Sequence, residues 1–135
     1  MANRLLPYIF MYGRCEEALE FYKATFGGSY EMMRVSDSPM AAQMPGAGNR
    51  IMHASFTSGA IAFYASDGEG DKKIDPDAGN VSLALNFEDG PGGEKVFHSL
   101  SAGGTVKMPL AEAFWGGRFG MVVDTFGNEW MVSLP

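Results

Sequence analysis

Residues 50–66, RIMHASFTSGAIAFYAS, lie over residues 118–134, RFGMVVDTFGNEWMVSL, so that Arg50 meets Arg118, Gly59 meets Gly127 and Phe63 meets Met131. Each stretch reads as two strands joined by a tight turn, with glycine where the chain reverses. Upstream, Pro7 to Tyr12 lies over Ser82 to Phe87, and a helical segment ending in a glycine pair follows in each copy, at Gly27-Gly28 and Gly103-Gly104. The chain therefore reads as two tandem units of about 60 residues, each a strand, a helix and three further strands. The pseudo-repeats run over about 4–67 and 79–135 of a single domain of 135 residues.

In the first helix Cys15, Leu19, Tyr22 and Phe26 form one apolar stripe, and Glu16, Glu17 and Glu20 place negative charge towards its N-terminal end. The second helix, about 92–102, presents Val96, Phe97 and Leu100. The strand Val81 to Phe87 alternates, so Val81, Leu83, Leu85 and Phe87 are expected under a helix and Ser82, Ala84 and Asn86 on the other face. The same rule puts Tyr8, Phe10 and Tyr12 under the first helix and Pro7, Ile9 and Met11 on the opposite face. A face carrying Ile9 and Met11 is unsuited to bulk water, and a concave sheet around a partly apolar cavity accounts for it. The expected fold is α+β: two tandem βαβββ units forming an incomplete, cupped mixed β-barrel with a helix packed outside each unit. Two irregular stretches interrupt the pattern, 36–49 and 67–79, and the first carries Met40 and Met44, placed to close over a ligand or to form a surface loop.

Composition narrows the function. Acidic residues outnumber basic ones by 16 to 10, and a formal charge of −6 opposes binding to a phosphate backbone, so no nucleic-acid partner is expected. The single cysteine, Cys15, forms no intrachain disulfide, which suits a reducing cytoplasm. Arg4 and the run Leu5 to Tyr12 imitate the start of a signal peptide, but Pro7 lies inside it and no small-residue cleavage site follows. No apolar run reaches the length of a membrane span. Gly46-Ala47-Gly48 lacks the strand, helix and acidic residue of a nucleotide loop, Gly90 to Lys95 lacks P-loop spacing, and Asp67 to Asp77 lacks the ligand spacing of a calcium loop.

The FY-x3-FGG helix end (Phe21 to Gly28) and the D-x-FG-x-x-W-x-V hairpin (Asp124 to Val132) resemble the vicinal oxygen chelate superfamily, which includes glyoxalase I, extradiol dioxygenases and bleomycin-resistance proteins. MPLAEAFWGGRFGMVVDTFGNEWMV (Met108 to Val132), DSPM (Asp37 to Met40) and GNVSLAL (Gly79 to Leu85) look more narrowly like its PhnB-like branch. Some relatives in that branch carry a demethylubiquinone methyltransferase label, yet this chain has no methyl-donor-binding Rossmann unit and is too short for one beside its repeats. The resemblance implies a divalent metal held by one side chain on the first and one on the fourth strand of each unit. Those positions are Pro7, Phe63, Ser82 and Met131, of which only the Ser82 hydroxyl is a weak donor, and a one-residue slip does not rebuild the site. No metal or other cofactor is therefore expected.

The remaining chemistry is sparse. His53, on the third strand of the first unit, is either a half-buried strand residue or a pocket acid or base, and His98 reads as a helix-surface residue. Glu129, which shares strand parity with Met131, is either the best candidate for an inward carboxylate or a surface residue at the hairpin end. The segment Phe114-Trp115-Gly116-Gly117-Arg118 offers a flat wall and a cation for a carboxylate or phosphonate, or else a turn with Trp115 in the core and Arg118 paired to an acid. The reading is a metal-independent small-molecule binding protein of unknown ligand, its site lined by Ile9, Met11, Phe63, Asn86, Trp115, Arg118 and Met131. Two alternatives stand beside it: a glyoxalase-like lyase, isomerase or dioxygenase with a non-standard site, and a dimeric interaction module. Whether a reaction is catalysed is left open. The resemblance and the prevalence of two-fold pairs both imply a homodimer.

Overall fold

The apolar stripe on Cys15, Leu19 and Tyr22 becomes the buried side of a helix, α1 (Cys15–Phe26), in the computed structural model, which describes residues 3–75 and 77–135. The chain divides into two compact units, the first ending at Lys73 and the second spanning Ile74–Pro135. Unit 1 contains β1 (Tyr8–Phe10), α1, β2 (Ser29–Arg34), β3 (Ile51–Ser58) and β4 (Ile61–Ser66). Unit 2 contains β5 (Leu83–Asn86), α2 (Gly90–Ser101), β6 (Thr105–Glu112), β7 (Arg118–Val123) and β8 (Glu129–Leu134). The strand order is β1-β4-β3-β2 in one sheet and β5-β8-β7-β6 in the other. In each sheet the first strand runs parallel to the fourth and the remaining pairs are antiparallel. Each unit is thus βαβββ, and the fold is α+β with two mixed sheets.

The glycine pairs do more than stop the helices. Gly27 caps α1 with its N–H donated to the Lys23 carbonyl at 2.8 Å, and a Cβ on Gly28 would stand 2.1 Å from the Thr57 carbonyl oxygen. In unit 2 a Cβ on Gly104 would stand 2.2 Å from the Val123 carbonyl oxygen. In both units the second glycine lets the chain entering the second strand pass against the end of the third, an approach that no side chain permits.

Three expectations need correction. The first strand stops at Phe10 because Tyr12 takes a left-handed backbone (φ 44°), rare for a non-glycine residue, and the chain turns through Gly13 into α1. Val81 and Ser82 precede β5, and Val81 is exposed. The faces of unit 1 are the reverse of those expected. Phe63 is buried, stacked on Phe56 and edge-on to Tyr22 of α1, and Ile9 shares its side of the sheet through the register Ile9↔Ala65↔Ala54. Met11 is likewise buried. Tyr8, Phe10 and Tyr64 point away from α1 and are 41%, 47% and 37% exposed. The expectation took bulk as the sign of the core, and on β1 the helix side is taken by the medium-sized Ile9 while Tyr8 and Phe10 face outward.

The overlay of the two hairpins fails for a related reason. β3 and β4 are joined by Gly59 and Ala60 alone, whereas residues 124–128 join β7 and β8. The difference is odd, and strand faces alternate with period two. Gly59 and Gly127 both sit at turns with positive φ (58° and 92°), but Phe63 faces α1, whereas the α2 side of β8 is taken by the buried Trp130, Val132 and Leu134. Met131, between them and opposite Met121, faces away. Among the described residues no helix is long and apolar enough to cross a membrane.

Candidate functional site

The loop between β2 and β3 closes one end of unit 1. It carries two short 3-10 turns, Val35–Asp37 and Ala41–Gln43, and is tied by the Val35 N–H to the Arg50 carbonyl and the Ser36 N–H to the Gly48 carbonyl. Met40 and Met44 from this loop, Met52 from β3, and Tyr8 and Phe10 from β1 line a cavity of about 310 Å3 that is mostly apolar, with Arg50, Ser66, Gly68 and Glu69 at its polar part. Gly68 has φ +63°, and a Cβ there would meet the Phe10 ring at 3.0 Å, so a side chain at this position would intrude on the wall. Arg50 is fully committed: it donates to Asp71 at 3.2 Å and to the carbonyls of Asp67, Gly68 and Gly70.

Behind this cavity Asp67, itself buried, accepts three backbone N–H groups, from Gly13 at 3.0 Å, Cys15 at 2.8 Å and Ile51 at 2.7 Å. It fixes the start of α1, the start of β3 and the end of β4 to one another. Burial, with Asp67 and Glu16 adding negative charge, pushes the Cys15 thiol up to about 12, so it is not a thiolate nucleophile at neutral pH. A wider, open cleft at the start of α1 is lined by Glu16, Glu17, Glu20, Arg34 and Asp67. Its side chains already have protein partners: one Arg34 nitrogen donates to both Glu16 oxygens at 2.8 Å, Arg14 reaches Glu17 at 2.7 Å and Glu20 accepts from the Tyr30 hydroxyl.

Beside the cavity, on the face of the unit 1 sheet away from α1, His53 meets Tyr8 with Nδ1 3.0 Å from the hydroxyl oxygen. Its ring lies 5.6 Å from Tyr8 and 5.2 Å from Tyr64. On the face of the unit 2 sheet away from α2, Glu129 accepts from Lys107 at 2.7 Å and from the Ser82 hydroxyl. Those two bonds, Lys107 first, hold its carboxyl below the usual range against the opposing effect of burial. An acid or base for catalysis near neutral pH needs the opposite shift.

The residues expected to form one site are therefore dispersed. Ile9, Met11 and Phe63 belong to the α1 core. Arg118 lies on the α2 side and pairs with Glu94 at 3.2 Å, as the turn reading of its segment expects. Gly116 and Gly117 do make a turn, with φ of 102° and 71°, but Trp115 is 61% exposed rather than in the core. Asn86 and Met131 stay on the face away from α2, as the register Asn86↔Ser133 and Ala84↔Met131 requires. Tyr8, Phe10, Met52 and Glu69 were not among the expected site residues. The doublet Asp67-Gly68 straight after a strand was the available signal, a carboxylate and a turn residue in a position that composition alone does not explain.

A family model described as 3-demethylubiquinone-9 3-methyltransferase matches residues 3–133. The chain belongs to this family. Protein PA1353 from Pseudomonas aeruginosa is similar at 36% identity, with 98% of each chain covered and a TM-score of 0.85. The PhnB protein from Bacillus cereus is similar at 25% identity, covering 98% of this chain and 100% of that one, with a TM-score of 0.77. Protein YjdN of Escherichia coli is 28% identical over 96% of this chain and 94% of its own length. Solved structures of the glyoxalase/bleomycin resistance/dioxygenase superfamily share the fold of this PhnB-like chain at 16% identity and a TM-score of 0.58. The metal positions implied by that superfamily carry Pro7, Phe63, Ser82 and Met131, and Phe63 is turned to the α1 core. Among the described residues no group of three or more His, Cys, Asp or Glu side chains is arranged to hold a metal ion. The donors present do not fit a divalent metal of the oxygen and imidazole type.

Proposed function

We propose that this PhnB-like protein binds a small molecule without a metal, in the cavity of unit 1 beneath the methionine loop. The observation that carries the reading is the cavity itself: about 310 Å3, walled by Phe10, Met40, Met44 and Met52, within the range of roughly 300–1,000 Å3 for ligand pockets. Thioether side chains repack around irregular shapes, which suits a wall that must fit a ligand. Binding is favoured over catalysis because, His53 beside the cavity apart, the candidate reactive groups are held in unreactive forms. The Cys15 thiol is protonated, Glu129 is ionised and paired, and Arg50 and Arg118 are occupied. The methyl transfer in the family's description is not carried over, since each sheet has a single parallel pair rather than the doubly wound parallel sheet of a Rossmann unit. A cytoplasmic setting suits the single buried thiol.

The test is a thermal-shift screen against a metabolite library. A ligand at 100 times its dissociation constant stabilises by about 2.7 kcal/mol. The double substitution Met40→Gln with Met44→Gln, at an exposed and a half-buried position respectively, should remove that shift and leave the ligand-free melting temperature nearly unchanged. A blank screen, or a hit whose shift survives the double substitution, would sink the site.

We infer further that the chain pairs as a symmetric homodimer through unit 2. β6 is an edge strand with Val106 and Met108 exposed, and the loop after it holds out Phe114 (97% exposed) and Trp115 in an edge-to-face pair. Exposed apolar surface of this kind marks an interaction site, and a two-fold pair is the commonest occupant. Light scattering should return a dimeric mass that Trp115→Glu converts to a monomeric one. A monomeric wild-type mass at micromolar concentration overturns the inference.

A further inference from the structure

The aromatic rings of unit 1 are of two kinds. In the α1 core they satisfy one another: Phe56 stacks on Phe63 at 5.0 Å and 18°, and Tyr22 meets Phe63 edge-on at 88°. On the opposite face Tyr8, Phe10, His53 and Tyr64 stand with centroids 5.2–6.1 Å apart at 37–45°, neither stacked nor edge-on. Their π faces are not taken up by one another, and Tyr8 and Phe10 turn directly into the cavity.

We propose that this cavity selects an organic cation with an apolar body, a quaternary or protonated amine; the proposal rests on the cavity being the ligand site. The charge around it is one-sided. The cation on its wall, Arg50, is consumed by Asp71 and three carbonyls. Glu69 lines the cavity, is exposed, and enters no ion pair among the described residues. Among the residues lining the cavity an anion would meet Glu69 and an Arg50 already bonded to protein acceptors, whereas a cation meets ring faces and a carboxylate. The same aromatic row already seats one cation: the Lys72 ammonium lies 5.8 Å from the centre of the Tyr12 ring, which adjoins Phe10 at 6.1 Å. Ammonium groups over tyrosine and phenylalanine rings within about 6 Å are attracted by the ring quadrupole.

Three probes built on one benzyl group test the selection by calorimetric titration of the whole chain: benzyltrimethylammonium, its neutral isostere neopentylbenzene, and the anion phenylacetate. The cation should bind about tenfold more tightly than the neutral isostere, with phenylacetate weakest, as cation–π attraction and an unpaired carboxylate predict. Glu69→Gln, at an exposed position where folding is not at stake, should weaken the cation severalfold and leave the neutral probe unchanged. Phe10→Leu, which removes a ring from the cavity wall and keeps an apolar side chain, should weaken the cation more than the neutral probe. Equal affinity of cation and neutral probe overturns the cation preference while leaving the cavity as a binding site. Tighter binding of phenylacetate overturns it as well, and so does failure of all three to bind, which together with a blank library screen overturns the cavity reading too.

Discussion

Units 1 and 2 have the same topology and the same glycine-limited approach of the second strand to the third, yet they differ in what stands on the face away from the helix. Unit 1 presents aromatic rings, His53 and a methionine loop enclosing a cavity, whereas unit 2 presents the Ser82–Glu129–Lys107 group. The chromophores divide the same way, with all five tyrosines in unit 1 and both tryptophans in unit 2. The backbone plan is thus set by features common to both halves, and the capacity to bind by what one half has added, chiefly the stretch between β2 and β3. A parallel contrast holds inside. Each unit buries an aspartate that accepts three N–H groups, but Asp67 takes them from segments far apart in the chain, and Asp124 takes them from Phe126, Asn128 and the Trp130 indole of its own hairpin.

That contrast predicts the largest effect. Asp67→Ala strands the buried Cys15 and Ile51 N–H groups and the part-buried Gly13 N–H, and at roughly 1–3 kcal/mol for each buried unsatisfied group the loss is about 2–6 kcal/mol, a large part of the stability of an ordinary domain. Asp124→Ala removes at least as many bonds, but the Phe126 and Asn128 N–H groups lie in one short turn that can rearrange towards water, which leaves the Trp130 indole as the donor stranded in the core, so the loss should be smaller. Cys15 reports on the difference. Its thiol is wholly buried and receives no help from ionisation, so labelling by a thiol reagent in native buffer measures opening of unit 1. Asp67→Ala should accelerate that labelling by orders of magnitude, while Asp124→Ala should instead alter the tryptophan fluorescence of unit 2. Equal labelling rates in the two variants would erase the distinction between long-range and local fastening.

The aspartates also show where the sequence is readable and where it is not. The stripe in α1, both glycine stops and the five-element repeat follow from short-range periodicity, and the structure returns them almost residue for residue. The Glu129 side of β8 also follows from parity. The faces of β1 do not, because alternation gives two sets without saying which is inside, and three residues of β1 are too few for bulk to decide. The sequence leaves Arg118 open between a ligand and an acidic partner, since Glu94, 24 residues away, is chosen by packing. The cavity joins Tyr8, Met44 and Glu69, a set with no spacing rule, and so only the methionines of its loop were visible in advance.

The smallest predicted effect sets the polar group of unit 2 against the aromatic face of unit 1. Glu129 is held below its ordinary value of 4.5, by Lys107 first and then Ser82, and Lys107 is held above its ordinary value of 10.5 by the bond to Glu129. A carboxyl with a lowered value in the folded state contributes stability that is fully present above the unfolded value and is lost as the pH falls through the folded one. An amine with a raised value contributes stability that is fully present below the unfolded value and is lost as the pH rises through the folded one. The group therefore stabilises unit 2 across the window from about pH 4.5 to about pH 10.5, bounded by those ordinary values, and fails on either side. Glu129→Gln removes both slopes. Urea midpoints followed by tryptophan fluorescence between about pH 3 and about pH 6, a range spanning that ordinary value of 4.5, should fall less steeply with acid in this variant than in the wild type. Because the pair is close to solvent the difference should stay small and shrink further with added salt. A steeper acid slope in Glu129→Gln would mean that the carboxylate is strained rather than stabilised by Lys107 and Ser82, and would remove the main electrostatic difference between the two faces.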